Sequence, residues 1–212
     1  MRVRTIMYHT GQADPAGFDS AASYAGLADP QWRGRVCMRT ANSSYTQSLV
    51  ASMIDEFGYD RALEIVRGWV ANEVRILPND VEILEDMAAG GCDVGITNHY
   101  YLARLMEERP DMPVAPYWAN QEGRGVHVNI SGAGVLANSD NPDQARRFLE
   151  WLATDGQNAF VDGNHEFPVN PAVTPEPAIA QWGEFTYEPI NAEAYGALNA
   201  DAVRLMAEAG YQ

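Results

Sequence analysis

The sequence predicts an α/β fold with a mainly parallel sheet and helices on both faces. Three observations carry this. Short strand-like apolar runs, at Val36–Arg39, Cys92–Thr97 and Val114–Trp118, alternate with amphipathic stretches long enough for helices. Helix starts and stops fall between them: Asn42-Ser43-Ser44 and Asn79-Asp80 ahead of two helices, Gly58 and Gly90-Gly91 behind the same two. The chain has 212 residues, 46% of them hydrophobic, enough for one large domain or two small lobes with a real core.

Taken in order, residues 2–8 read as extended. Phe18 to Ala28 reads as a short helix capped by Asp19 or Ser20, with Tyr24 and Leu27 on its apolar face. Pro30 and Gly34 punctuate a turn that Trp32 anchors. Strand Val36–Arg39 leads into helix 45–57, and Tyr59–Ala71 forms the next helix with Leu63, Val66 and Trp69 or Val70 inward. Residues 72–77 are extended. Helix 81–89 turns Ile83, Leu84 and Met87 inward and precedes strand 92–97 and helix 102–108. Strands follow at 114–118 and 126–130, the latter continuing through Val135-Leu136-Ala137. Pro142 opens an amphipathic helix to Ala153, and 155–161 forms another. Residues 166–169 are extended, 170–190 are rich in proline, and a last helix covers about 192–209.

Composition narrows the function classes. There are 29 acidic residues against 14 basic, a formal charge of −15. Nucleic acid and anionic membrane surfaces need a basic face, so neither is an expected partner. No apolar run reaches membrane-spanning length. No secretory signal is visible, because Met1 to Thr5 runs straight into a strand. The two cysteines, Cys37 and Cys92, each lie in an expected strand shortly before a tyrosine motif. If those strands are neighbours a disulfide fits, and two buried thiols are the alternative. No CxxC spacing points to zinc. No Ser/His/Asp set and no two-histidine-one-carboxylate spacing stands out among the four histidines, so an enzyme is not expected.

The chemistry centres on Asn98-His99-Tyr100-Tyr101, placed where a strand turns into a helix, the position at which α/β sheets bind ligands. Tyr45 sits at a helix N-terminus, where free N–H groups and the dipole favour negative charge. If the three phenols converge, three hard anionic oxygens suit ferric iron; divalent magnesium and calcium take carboxylates and carbonyls, and zinc takes nitrogen or sulfur. The alternative for the tyrosine pair is an ordinary strand end, and for Asn42, Ser43 and Ser44 simple helix capping. Arg39 and Arg124 are candidate donors that stabilise phenolate, or else surface or hinge salt bridges. His99 points away from its neighbour, and His127 reads as structural.

Asn42 to Ser52, Asn98 to Tyr101 and Asn120 to Asn129, in that order and spacing, resemble the ferric-iron-binding periplasmic proteins of bacterial ABC transporters, the transferrin-like members of the type II solute-binding fold. The resemblance covers nearly the whole chain. It implies Tyr45, Tyr100 and Tyr101 as Fe³⁺ ligands, with a synergistic anion such as carbonate held near Asn42, Ser43, Ser44, Asn98 and the two arginines. It implies a periplasmic location, an inner-membrane ABC permease as partner, and no catalytic activity. It also implies that the chain begins within the family's length, with the first strands of the N-terminal lobe absent. On that reading residues 1–126 form the C-terminal lobe with its first crossover strand, 127–175 belong to an incomplete N-terminal lobe, and 176–212 return to the C-terminal lobe. Such an incomplete lobe would leave edges for self-association. A solute-binding protein for a small organic or anionic ligand, and a non-binding lobe that self-associates, stand as alternatives.

Overall fold

The structure, a computed structural model, describes residues 1–18, 23–189 and 192–212. Strands are β1 (Arg2–His9), β2 (Val36–Arg39), β3 (Arg75–Leu77), β4 (Val94–Asn98), β5 (Val114–Tyr117) and β6 (His127–Asn129). Helices are α1 (Ser44–Phe57), α2 (Tyr59–Ala71), α3 (Asp80–Ala88), α4 (His99–Glu108), α5 (Pro142–Ala153), α6 (Gln157–Asp162), α7 (Pro177–Ala180), α8 (Ala192–Ala197) and α9 (Asn199–Ala209). None of the described helices is long and apolar enough to cross a membrane.

The sheet runs β3-β2-β4-β1-β5, with β6 also paired to β1. β2 pairs in parallel with β3 and β4. β1 runs against all three of its neighbours, β4, β5 and β6. The sheet is therefore mixed, with β1 reversed among strands that share one direction. That reversal positions the site. In the β1–β4 register Arg4 lies opposite Asn98, and in the β1–β6 register Arg2 lies opposite Asn129. The start of β1 thus meets the end of β4.

Successive residues of β1 face opposite sides of the sheet, as pleating requires. Ile6 joins an apolar cluster with Leu49, Val50, Val66, Trp69, Leu205 and Met206, whereas Met7 joins one with Ile83, Leu84, Met87 and Leu102. The first cluster lies under α1, α2 and α9, the second under α3 and α4. Helix ends follow local chemistry. Ser43 caps α1, Asn79 Oδ1 caps α3 by accepting from Glu82 N at 2.9 Å, and Gly58 at φ +79° breaks α1 from α2.

Several expected elements differ. The helix expected over 18–28 is a 3-10 turn at Tyr24–Ala28, and its expected caps Asp19 and Ser20 lie outside the described residues. The last helix is two, divided at Leu198. Val135-Leu136-Ala137 and 166–169 form no strand, although Phe167 N–H donates to Met1 O at 3.0 Å. The helix expected from Leu102 begins at His99, so both tyrosines of the pair sit in its first turn. Cys37 and Cys92 form a disulfide with Cα atoms 5.9 Å apart, since β2 and β4 are neighbours.

Candidate functional site

The parallel strands β2 and β4 deliver α1 and α4 to the same edge of the sheet. Tyr45 is the second residue of α1, with its backbone N–H donated to Ser43 Oγ at 3.3 Å. Tyr100 is the second residue of α4. Their hydroxyls meet at 3.2 Å. Tyr101 lies against Tyr100, ring centroids 4.2 Å apart. Three phenols from two distant stretches therefore share one place. Tyr100 is buried, and burial pushes its phenol well above the ordinary range, with hydrogen bonds to Tyr101 and Tyr45 adding to the rise and Asn98 opposing it.

A group of arginines surrounds these rings. Arg2 Nη1 donates to the Tyr45 hydroxyl at 3.0 Å. The guanidinium carbons of Arg2, Arg4 and Arg39 lie 5.6, 5.9 and 5.6 Å from the Tyr45 ring centre, and that of Arg104 lies 5.0 Å from Tyr100's. Asp80 is the counter-ion shared by Arg4 and Arg39. Its Oδ2 lies 3.2 Å from Arg4 Nη1 and 3.7 Å from Arg39 Nη1, and it accepts the Asn98 backbone N–H at 3.3 Å. Four guanidinium groups against this one carboxylate leave the edge positive. Arg39 Nε and Nη1 are buried without a hydrogen-bond partner among the described residues. Buried donors of that kind are costly to leave unmatched.

The sequence reading picked out Tyr45, Tyr100, Tyr101, Arg39 and Asn98, and the structure brings these together. Asn98 Oδ1 accepts from Arg4 Nη1 at 3.3 Å. Ser43 caps its helix, while Asn42 and Ser44 are exposed beside it. Arg124 is a correction. It pairs with Asp55 at 2.6 Å and lies 3.9 Å from Glu188, near the far end of α1. Ten residues of helix, about 15 Å at ~1.5 Å each, separate Asp55 from Tyr45. Arg124 is thus a salt-bridge residue, the alternative already open for it. Arg2, Arg4, Arg104 and Asp80 were not found from sequence. Alternation of Arg2 and Arg4 in a strand is a signal, but only the reversed direction of β1 says where they go.

His99 is buried, and its Nδ1 accepts the Val3 N–H at 3.0 Å. Burial lowers its pKa to about 3, so it stays neutral and ties β1 to the start of α4. His127 belongs to a set the sequence did not disclose. Its Nδ1 bonds Glu188, and its Nε2 lies 3.0 Å from Ser48 Oγ. That is the order of a nucleophilic triad. Ser48 Oγ, however, is within 3.0 Å of Asn129 Oδ1, and Glu188 also accepts from Ser52 at 2.6 Å and Tyr195 at 2.8 Å. Burial pushes the Glu188 carboxyl up, and the bonds from His127, Ser52 and Tyr195 more than reverse it. The group is a saturated buried network joining α1, β6 and the segment after α7. The C-terminal residues reach the same edge of the sheet: Tyr211 Oη donates to Arg39 O at 2.6 Å, and Gln212 O accepts from Ala41 N at 3.0 Å.

The chain belongs to the family of bacterial extracellular solute-binding proteins, whose profile matches residues 16–184. Among its relatives, iron uptake protein A1 of Synechocystis sp. is 36% identical, over all of this chain and 60% of its own length. Iron uptake protein A2 of the same organism is 38% identical, over all of this chain and 63% of its own. A solved Trichodesmium structure, FutA in complex with iron and citrate ligands, superposes with a TM-score of 0.94 at 37% identity, covering all of this chain and 68% of that one. The chain thus spans about 60% of the length of these curated relatives. The resemblance seen in the three motifs holds, and the fold is that of the type II periplasmic binding proteins.

Proposed function

We propose that this chain binds ferric iron through Tyr45, Tyr100 and Tyr101 as the solute-binding component of an iron(III) ABC transport system. The observation that carries the reading is the 3.2 Å contact between the Tyr45 and Tyr100 hydroxyls, with the Tyr101 ring against that of Tyr100. Phenols packed this closely and this deeply resist ionising alone, as the raised Tyr100 shows. A trivalent cation replaces the shared protons and holds the oxygens as phenolates. Capture therefore releases protons, and affinity falls as pH falls. The positive edge and the unmatched Arg39 donors support an anion beside the metal, carbonate or a carboxylate, completing the coordination. The relatives' names support the cargo.

The same reading divides the chain into a C-terminal lobe at 1–126, a segment of the N-terminal lobe at 127–175, and C-terminal helices at 176–212 that return to the first lobe. Packing of α8 on α1, and of α9 on α1 and α2, supports that return. A location outside the cytoplasm is supported by the family and by the disulfide. The partner is then a membrane permease, and the protein is a carrier and no enzyme. Exposed apolar side chains between Ile130 and Val169 support self-association as a further property.

The test is a titration of purified protein with ferric nitrilotriacetate, followed by visible absorption. A phenolate-to-iron band lost in Tyr45→Phe and in Tyr100→Phe/Tyr101→Phe bears the reading out. An unchanged band in the double variant sinks it. The second reading, an anionic organic solute alone, is favoured by the arginines; it predicts tight carboxylate binding with no band and no need for iron.

A further inference from the structure

The two cysteines and the two halves of the tyrosine site stand in the same relation along the chain. Cys37 and Cys92 are separated by 55 residues, and so are Tyr45 and Tyr100. Cys37 lies in β2, and Cys92 leads into β4. Each of these parallel strands passes the chain, at its C-terminal end, to the helix that carries a tyrosine. One covalent bond therefore joins the two strand–helix units below, and one phenol–phenol contact joins them above.

Between those ties the backbone pairing is thin. The β2–β4 ladder pairs Val36 with Val94 and Cys37 with Gly95. On its other side β2 pairs with β3, an edge strand of 3 residues. Parallel pairing is also slightly less stable per residue than antiparallel pairing. β4 is different, because it is held by a long antiparallel ladder to β1, from Arg4↔Asn98 to Tyr8↔Val94. The Tyr100 side is thus fixed by the sheet, whereas the Tyr45 side has only this two-pair ladder to β4, its other ties running to β3, to the helices and to the C-terminal residues.

We infer that the Cys37–Cys92 disulfide is a positioning element for the tyrosine site, fixing the β2–α1 unit on the β4–α4 unit so that Tyr45 meets Tyr100 before cargo arrives. Its surroundings suit a permanent strut. Both cysteines are buried, at 0% and 3% exposed. Asp86 Oδ2 lies 3.5 Å from Cys37 Sγ and is held there by Arg75 at 2.9 Å. A carboxylate beside the sulfur opposes thiolate, the form that thiol exchange requires. Preorganised ligands bind more tightly because less ordering accompanies capture. The cargo named here rests on the proposed function; the geometry does not.

The experiment compares the unmodified protein with Cys37→Val/Cys92→Ala and with Cys37→Ser/Cys92→Ser, below the melting transition of each. Ferric nitrilotriacetate titration is expected to show affinity at least ten-fold weaker in the folded variants, with a displaced visible band. A lower melting temperature with affinity unchanged within two-fold would make the bond merely structural and overturn the inference. Ga³⁺, which dithiothreitol does not reduce, supplies a variant-free arm: reduced wild-type protein should bind it more weakly than oxidised, and equal binding counts against the inference. If the unmodified protein shows no ferric band, the cargo reading fails, and the metal-free protein decides this one. Tyr45 and Tyr100 ring resonances should then show slow exchange in the variants alone; identical relaxation overturns it.

Discussion

Helices α2 and α5 are both amphipathic, yet they end in opposite states. α2 buries Ala62, Leu63, Ile65, Val66 and Trp69 against its neighbours. α5 buries none of its side chains: Phe148 is 56% exposed and Trp151 45%. Ile130, Val135, Leu136, Phe160 and Val169, in the same region, are exposed too. Apolar periodicity thus specifies a face, but not the element that covers it. The half that carries the tyrosines has its covers, with α1, α2 and α9 on one side of the sheet and α3 and α4 on the other.

The contrast breaks most visibly at the core. Trp69→Ala is expected to cost about 3–5 kcal/mol in urea unfolding, because it empties a filled site and orphans the bond from Trp69 Nε1 to Tyr24 O. Trp151→Ala is expected to stay within about 0.5 kcal/mol by the same measurement. Similar losses from the two would erase the distinction.

Asp80→Ala comes next, at about 3–4 kcal/mol, because Arg4 is 1% exposed and would keep a buried charge without its partner. Chemical denaturation reads the loss. The Tyr45–Tyr100 edge should loosen with it, which ferric affinity reports separately from stability.

Acid sharpens the comparison further. The His99 pKa falls to about 3 in the fold and is ~6.5 unfolded. Between those values the unfolded chain binds more protons, so stability rises with pH across the window and is lost as pH falls through it, at up to ~1.4 kcal/mol per pH unit. In His99→Gln the acid limb of a stability-against-pH curve should flatten, although the variant is weaker at neutral pH. An equally steep limb would place the acid sensitivity elsewhere.

The smallest expected change in stability, within about 0.5 kcal/mol, belongs to Phe148→Ser/Trp151→Ser. Its effect is on association: the weight-average mass by sedimentation should depend less on concentration than in the unmodified protein. No change in mass would mean that this face is not the sticky one.

Much of the tyrosine half was legible because its signals are local. Ser43, Asn79 and Gly58 announce helix ends by side-chain or backbone chemistry within a few residues, and the structure ends its helices there. The start of α4 was misplaced because His99-Tyr100-Tyr101 has no local capping signal; Asn98 sits at the cap without making a side-chain cap bond. The direction of β1 was illegible for a deeper reason. It is set by partners about a hundred residues away, and with it went Arg2 and Arg4. The His127–Glu188 contact spans 61 positions and leaves no periodic trace. The tyrosines, by contrast, were visible as residue types at strand-to-helix junctions, but their meeting depends on β2 and β4 being neighbours.

The bonds from Tyr211 to Arg39 O and from Gln212 O to Ala41 N bear on how the protein is handled. These two residues clamp the loop that leads into Tyr45. Tyr211→Phe would remove one of these bonds, and any change that displaces Gln212 would remove the other. Either would change the proposed metal capture in a preparation whose sheet and helices remain intact. A handle for immobilisation is better placed in the exposed stretch between Ser131 and Ser139, far from the clamp in sequence and free of ladder partners among the described residues.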